Sequence, residues 1–134
     1  MMPEVSVKMS APINVILAAA NLLLLPLTVS IAEDGLYLGC GVNGIKNKYA
    51  SVIVPTFFYA LQHCFIPMLP DGKYIVYRFI SFLPAALLLC LYYKKTKNPI
   101  PVMIGHAMLD MGTAVTILIT SASPDLYDKW CSMV

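Results

Sequence analysis

The chain has 134 residues, 59% of them hydrophobic and 12% charged, with a net charge of +2 and a mean hydropathy of +0.75. Globular domains carry about a quarter charged residues, so a water-soluble surface is excluded, and the dispersed basic residues exclude a nucleic-acid interface. What remains is a single all-α integral membrane domain, 1–134, long enough for about four spans of roughly twenty residues each, with lipid as its solvent.

Four apolar runs follow in chain order, approximately 12–40, 49–69, 74–93 and 100–119. The first begins near Pro12, continues with helix-compatible spacing towards Cys40, and ends at Gly41, Asn43, Gly44 and Lys46. The second stops at Pro70, Asp71 and Gly72, a strong turn signal. Lys94, Lys95, Lys97, Asn98 and Pro99 close the third, and Ser121, Ser123 and Pro124 close the fourth. Pro26, Pro55, Pro67 and Pro84 would break soluble helices but are tolerated in spans that pack on neighbours. A competing reading of the first run is a secretory signal peptide, with Lys8 ahead of an apolar stretch and Ser30, Ile31 and Ala32 at its cleavage site. Cys40, Cys64, Cys90 and Cys131 lack metal-site spacing and read as small packing residues.

With four spans, the loops after the first and third share a side, and they hold Lys46, Lys48, Lys94, Lys95 and Lys97. The opposite side holds Lys8, Lys73, Lys129 and the deeper Arg78, so lysine clustering leans that first side towards the cytoplasm and both termini away from it. Arg78 is expected to snorkel to the outer interface or pair with Asp71, and Tyr74, Tyr77, Tyr92 and Tyr93 read as interfacial belt residues.

Glu33, Asp34, His63, His106 and Asp110 lie inside these runs, where an ionisable group costs at least a few kcal/mol and is retained mainly for chemistry or transport. Measured from the lysine-rich side at about 1.5 Å per residue, Glu33, His63 and Asp110 each lie at a depth of about 20 Å and His106 at about 14 Å. Such levels allow side chains from three helices to converge. His106 and Asp110 share a face at i, i+4, as do Tyr59 and His63. Two bland readings stand beside this one. An intramembrane histidine can simply hydrogen-bond a neighbouring span, and Glu33 and Asp34 would face water if the first span stopped at Ala32.

The segments Glu33-Asp34-Gly35-Leu36-Tyr37-Leu38-Gly39, Tyr59-Ala60-Leu61-Gln62-His63 and His106-Ala107-Met108-Leu109-Asp110 resemble, in order, the three motifs of the CPBP family: EExxxRG, FxxxH, and HxxxN or HxxxD. That family comprises type II CAAX prenyl endopeptidases, bacteriocin-processing and immunity proteins, and abortive-infection proteins. The resemblance covers about residues 26 to 120. In three places the chain departs from the pattern: Asp34 replaces the second glutamate, Tyr59 the phenylalanine and Leu38 the arginine. On an α-helix Leu38 lies four residues beyond Asp34, so its face adjoins the carboxylates.

The resemblance implies a CPBP-like helical core and an intramembrane endopeptidase acting on a membrane-associated peptide or protein. In it Glu33 is the base that deprotonates water, His63 positions that water, His106 and Asp110 take the oxyanion-stabilising positions, and Asp34 supports. No cofactor is required by that scheme. The alternative is zinc or another divalent metal held by Glu33, His63 and His106, although no HExxH is present. Haem between His63 and His106 is a further possibility, but it leaves Glu33 and Asp110 unexplained. The runner-up function is a catalytically silent relative that acts as a binding, immunity or scaffold protein. Family members carry further helices around this core, so another membrane subunit is an open partner.

Overall fold

A computed structural model describes residues 11–65 and 72–133, which form helices and no strands. The elements are α1 (Val15–Asp34), continued by a π-helical segment Gly35–Val42, then α2 (Ala50–Gln62) with a 3₁₀ turn His63–Phe65, α3 (Gly72–Thr96), α4 (Ile100–Ala122) and the short α5 (Pro124–Ser132). Val15–Val42, Gly72–Thr96 and Ile100–Ala122 are long and apolar enough to cross a bilayer, whereas Ala50–Phe65 is shorter. The expected end of the second run, with Pro67, Pro70 and Asp71, lies outside the described residues, as does Lys8. Leu109 and Leu88 are 75% and 66% exposed. In water such side chains would be an aggregation liability; in a membrane they meet lipid tails. The chain is therefore an all-α integral membrane protein.

Three helices start on asparagine. Asn14, Asn47 and Asn98 each offer a side-chain oxygen to the backbone N–H two residues on, at Ile16, Tyr49 and Ile100, at 2.9, 2.9 and 3.1 Å. These bonds satisfy amide groups that the first turn of a helix leaves without an intrahelical acceptor. Pro26, Pro55 and Pro84 lie inside α1, α2 and α3, as spans allow.

The chain divides into two compact units, Ser30–Met103 and the pair of segments Met1–Val29 and Ile104–Val134. In the first of these, two apolar clusters tie the helices together. One joins Leu38 and Val42 to Val52, Cys90, Tyr93 and Val102. The other sets Tyr59 and Ala60 against Ala86, with Tyr37, Phe79 and Phe82 around them. At the lysine-rich end the Lys94 ammonium bonds the Lys48 carbonyl and, at 2.6 Å, the Ser51 hydroxyl. Lys97, which has a left-handed backbone (φ 57°), donates to Asn43 Oδ1 at 2.5 Å and lies over the Tyr93 ring, while Asn43 donates to the Tyr93 hydroxyl at 2.8 Å. The loops after α1 and α3 are thus laced together. Tyr93 and Tyr74 are buried, so only Tyr77 and Tyr92 of the four expected belt tyrosines are exposed.

The other unit contains the start of α1 and most of α4 with α5. Ala18, Ala114 and Thr120 are buried in it, and the Ile13 amide donates to Ser121 Oγ at 3.0 Å. The Thr120 and Ser121 hydroxyls donate back to carbonyls of their own helix, which removes their need for a polar neighbour in an apolar setting.

Gly41 marks a close helix approach. A Cβ placed there would sit 2.9 Å from Pro55 Cγ and 3.0 Å from its Cβ, against a ring that cannot rotate away. Gly41→Ala is expected to destabilise the protein by about 1–3 kcal/mol through overpacking, measured as detergent-solubilised unfolding. Gly44→Ala, where a Cβ meets nothing within 4 Å, should change it far less. For topology, reporters inserted at residues 44–47 and 97–98 should give the same, cytoplasmic signal. Opposite signals would contradict the lacing of these loops by Lys94 and Lys97.

Candidate functional site

Between Asp34 and Gly35 the first helix changes its winding. It neither stops at Ala32 nor continues as a regular α-helix to Cys40, but widens into π geometry through Val42. A π turn closes i→i+5 bonds, is uncommon, and is often found at functional sites. Gly35, Gly39 and Gly41 give this stretch little side-chain bulk. Leu38, four residues beyond Asp34, is wholly buried in the cluster of Val42, Val52, Cys90, Tyr93 and Val102.

Asp34 is also fully buried, and its Oδ1 accepts a 2.6 Å hydrogen bond from the Tyr59 hydroxyl. Tyr59 stacks on Tyr37, with ring centroids 4.7 Å apart and planes 13° from parallel. Tyr37 in turn donates to Gln62 Oε1 at 2.5 Å. Each helix therefore sends one tyrosine hydroxyl to a polar group on the other. Tyr37 and Gln62 escaped the sequence reading, although the signal was there: Asp34-x-x-Tyr37 and Tyr59-x-x-Gln62 place paired polar groups one turn apart on each helix.

His63 sits where α2 tightens into its 3₁₀ turn. The last four carbonyls of an α-helix lack intrahelical partners, and Tyr59 is one of those positions. His63 Nδ1 lies 2.9 Å from the Tyr59 carbonyl oxygen, and Cys64 Sγ donates to the Ala60 carbonyl at 3.3 Å. A carbonyl only accepts, so Nδ1 carries the hydrogen and a neutral His63 presents its Nε2 lone pair. That Nε2 is 3.8 Å from Glu33 Oε2, beyond direct hydrogen-bond reach, and the two side chains are 16% and 13% exposed. One face of the His63 ring stacks on Phe82 at 4.3 Å.

Arg78 lies among aromatic rings near the end of α2. Its guanidinium lies 4.6 Å from the Phe82 ring centroid and 5.9 Å from that of Tyr74, and its Nε donates to the His63 carbonyl at 3.4 Å. Asp71, its other expected partner, is outside the described residues. An apolar groove of about 360 Å³, lined by Leu36, Tyr37, Cys40, Gly41, Val54 and Phe58, lies beside the tyrosine pair. In the other unit, His106 Nε2 and Asp110 Oδ2 are 3.6 Å apart on one face of α4, with side chains 11% and 25% exposed. An acid at that distance orients the ring electrostatically.

A family model described as type II CAAX prenyl endopeptidase Rce1-like matches residues 15–112. Comparison with curated proteins gives no match, and neither does comparison with solved structures. The match spans most of the chain and contains all three motif segments, and the chain belongs to the type II CAAX prenyl endopeptidase Rce1-like family.

Because Leu38 is enclosed by apolar side chains, Leu38→Arg is expected to cost about 3 kcal/mol of stability, the scale for a guanidinium placed mid-span. Leu38→Met should cost less than about 1.5 kcal/mol. Thermal unfolding of the two purified variants in one detergent checks the difference. Equal melting temperatures would mean that position 38 opens to water or to an acid.

Proposed function

We propose that this chain is an intramembrane endopeptidase of the CAAX type, hydrolysing a peptide bond with water activated by Glu33. The observation that carries the reading is the 3.8 Å separation of Glu33 Oε2 and His63 Nε2. With Nδ1 protonated, both atoms are acceptors, and one water, with two O–H donors, matches two acceptors at that spacing. Glu33 takes the water proton as oxygen attacks the carbonyl carbon, and His63 holds the second O–H so that the attacking lone pair points at the substrate. The proton on Glu33 then passes to the departing amine, which leaves a carboxylate and a free amine as products.

The family motif assigns oxyanion stabilisation to His106 and Asp110. An ionised Asp110 would repel that charge, so the donor is His106, with Asp110 orienting its ring from 3.6 Å. Asp34 supports, through Tyr59. The apolar groove beside Tyr37 suits an aliphatic substrate segment of the kind a prenylated tail carries. Glu33 and His63 are also two of the three donors that the sequence offers a zinc ion. Bound there, zinc would supply Lewis-acid polarisation and a more acidic water, and no step above is routed through it.

A second reading, a silent relative that binds a peptide or partner through the same surfaces, is favoured by one observation. The position at which the family carries arginine is an apolar core residue, Leu38.

The deciding experiment is cleavage of a peptide library, prenylated and unprenylated, by the purified protein in detergent, with and without chelator. Glu33→Gln is expected to lower turnover at least about 10²-fold, and Glu33→Ala combined with His63→Ala should lose little more than either alone. Chelator should leave the rate unchanged. Loss of activity on chelation, restored by zinc, would transfer the role of Glu33 and His63 to metal binding. A wild type inactive on every peptide would favour the silent reading.

A further inference from the structure

Tyr59 touches both halves of the Asp34–His63 arrangement through different atoms. Its hydroxyl is held by buried Asp34 at 2.6 Å, and its backbone carbonyl is 2.9 Å from His63 Nδ1. Its ring is fixed by stacking on Tyr37 and lies 5.4 Å from the His63 ring. Four contacts on one residue leave the end of α2 little freedom to rotate about its axis. That rotation is what would swing His63 Nε2 away from Glu33 Oε2.

We infer that Tyr59 is a positioning residue, anchored by Asp34, which sets both the tautomer and the direction of His63 towards Glu33. This rests on the function proposed above only for its kinetic consequence. It also connects the chain's three departures from the motif pattern in physical terms. Tyrosine in place of phenylalanine adds a hydroxyl, aspartate in place of glutamate is one methylene shorter, and leucine in place of arginine removes a cation. The added hydroxyl meets the shortened acid, and the residue that would have been a cation packs into the apolar cluster. A neutral O–H donor holds the acid without a second buried charge, so the site needs no guanidinium at position 38.

The test is nitrogen NMR of the full-length protein labelled with ¹⁵N-histidine in detergent. The two histidines are told apart by His106→Gln, which leaves only the His63 signals. The wild type should show His63 as a single Nδ1–H tautomer. In Tyr59→Phe that signature should give way to the mixed tautomers of a mobile imidazole, and Asp34→Ala should do the same by removing the anchor. Asp34→Asn, which keeps an acceptor for the hydroxyl, should retain the tautomer. On a cleaved peptide, Tyr59→Phe should lower kcat about five- to tenfold with KM little changed, the scale of one positioning hydrogen bond.

A wild-type His63 in the Nε2–H form overturns the inference. So does a His63 signature unmoved in both Tyr59→Phe and Asp34→Ala, whatever their activity. If Tyr59→Phe does not fold, the Asp34→Ala and Asp34→Asn pair decides alone. A tautomer that responds as described in a protein that cleaves nothing upholds the positioning role and removes the endopeptidase reading.

Discussion

The hydrogen bond from Tyr59 to Asp34 is the contact on which the Ser30–Met103 unit depends. A carboxyl with no exposed surface, in a helix whose surroundings are lipid and aliphatic side chains, has no water to turn to. It must find a donor within the protein, and the donor's location fixes how α1 and α2 cross. The tyrosine that supplies it stacks on Tyr37, and Tyr37 reaches Gln62, so two hydroxyls and one ring pair lock the same crossing from both sides. In a bilayer no hydrophobic force drives one helix against another, so such polar and aromatic contacts carry more of the specificity of packing than they would in water.

Leu38 and Val42 of the π segment pack into the apolar cluster with Val52, Cys90, Tyr93 and Val102, while the Asp34 carboxyl just before it meets Tyr59 of α2. Gly41 lets Pro55 approach to within less than a side chain's width. A bulkier residue would hold the helices apart, and a 2.6 Å bond a few turns away would be hard to keep. Gly41 is therefore part of how the acid is satisfied, although it does not touch it.

Much of this was legible in the sequence, for definite reasons. Continuous apolar runs broken by Gly, Pro, Asn and Lys carry a strong signal, and Glu33, Asp34, His63, His106 and Asp110 stood out because an ionisable group is costly inside such a run. The three motif segments, read in order, led to the family. What could not be read was anything that depends on winding or on a second helix. The apolar enclosure of Leu38 comes from Val52, Cys90, Tyr93 and Val102 on other helices, which spacing along one helix does not show. The bond from Arg78 to the His63 carbonyl comes from a different element and was not readable, whereas its ring neighbours Tyr74 and Phe82 stand at i−4 and i+4 on its own helix. Tyr74 and Tyr93 look like belt residues by position, but they are buried by contacts that no spacing encodes.

The contrast between Tyr59 and Arg78 shows what this environment selects. A guanidinium next to Asp34 would bring a second full charge into the least exposed part of the unit, and its attraction to the acid would have to offset the desolvation of both groups. A phenol brings no charge, forms a short bond, and contributes its ring to the aromatic stack. Arg78, by contrast, sets its charge against aromatic faces and donates to a carbonyl, both of which stabilise a cation. With the acid held by a neutral donor and the arginine held by rings, Glu33 is left as the carboxyl facing His63.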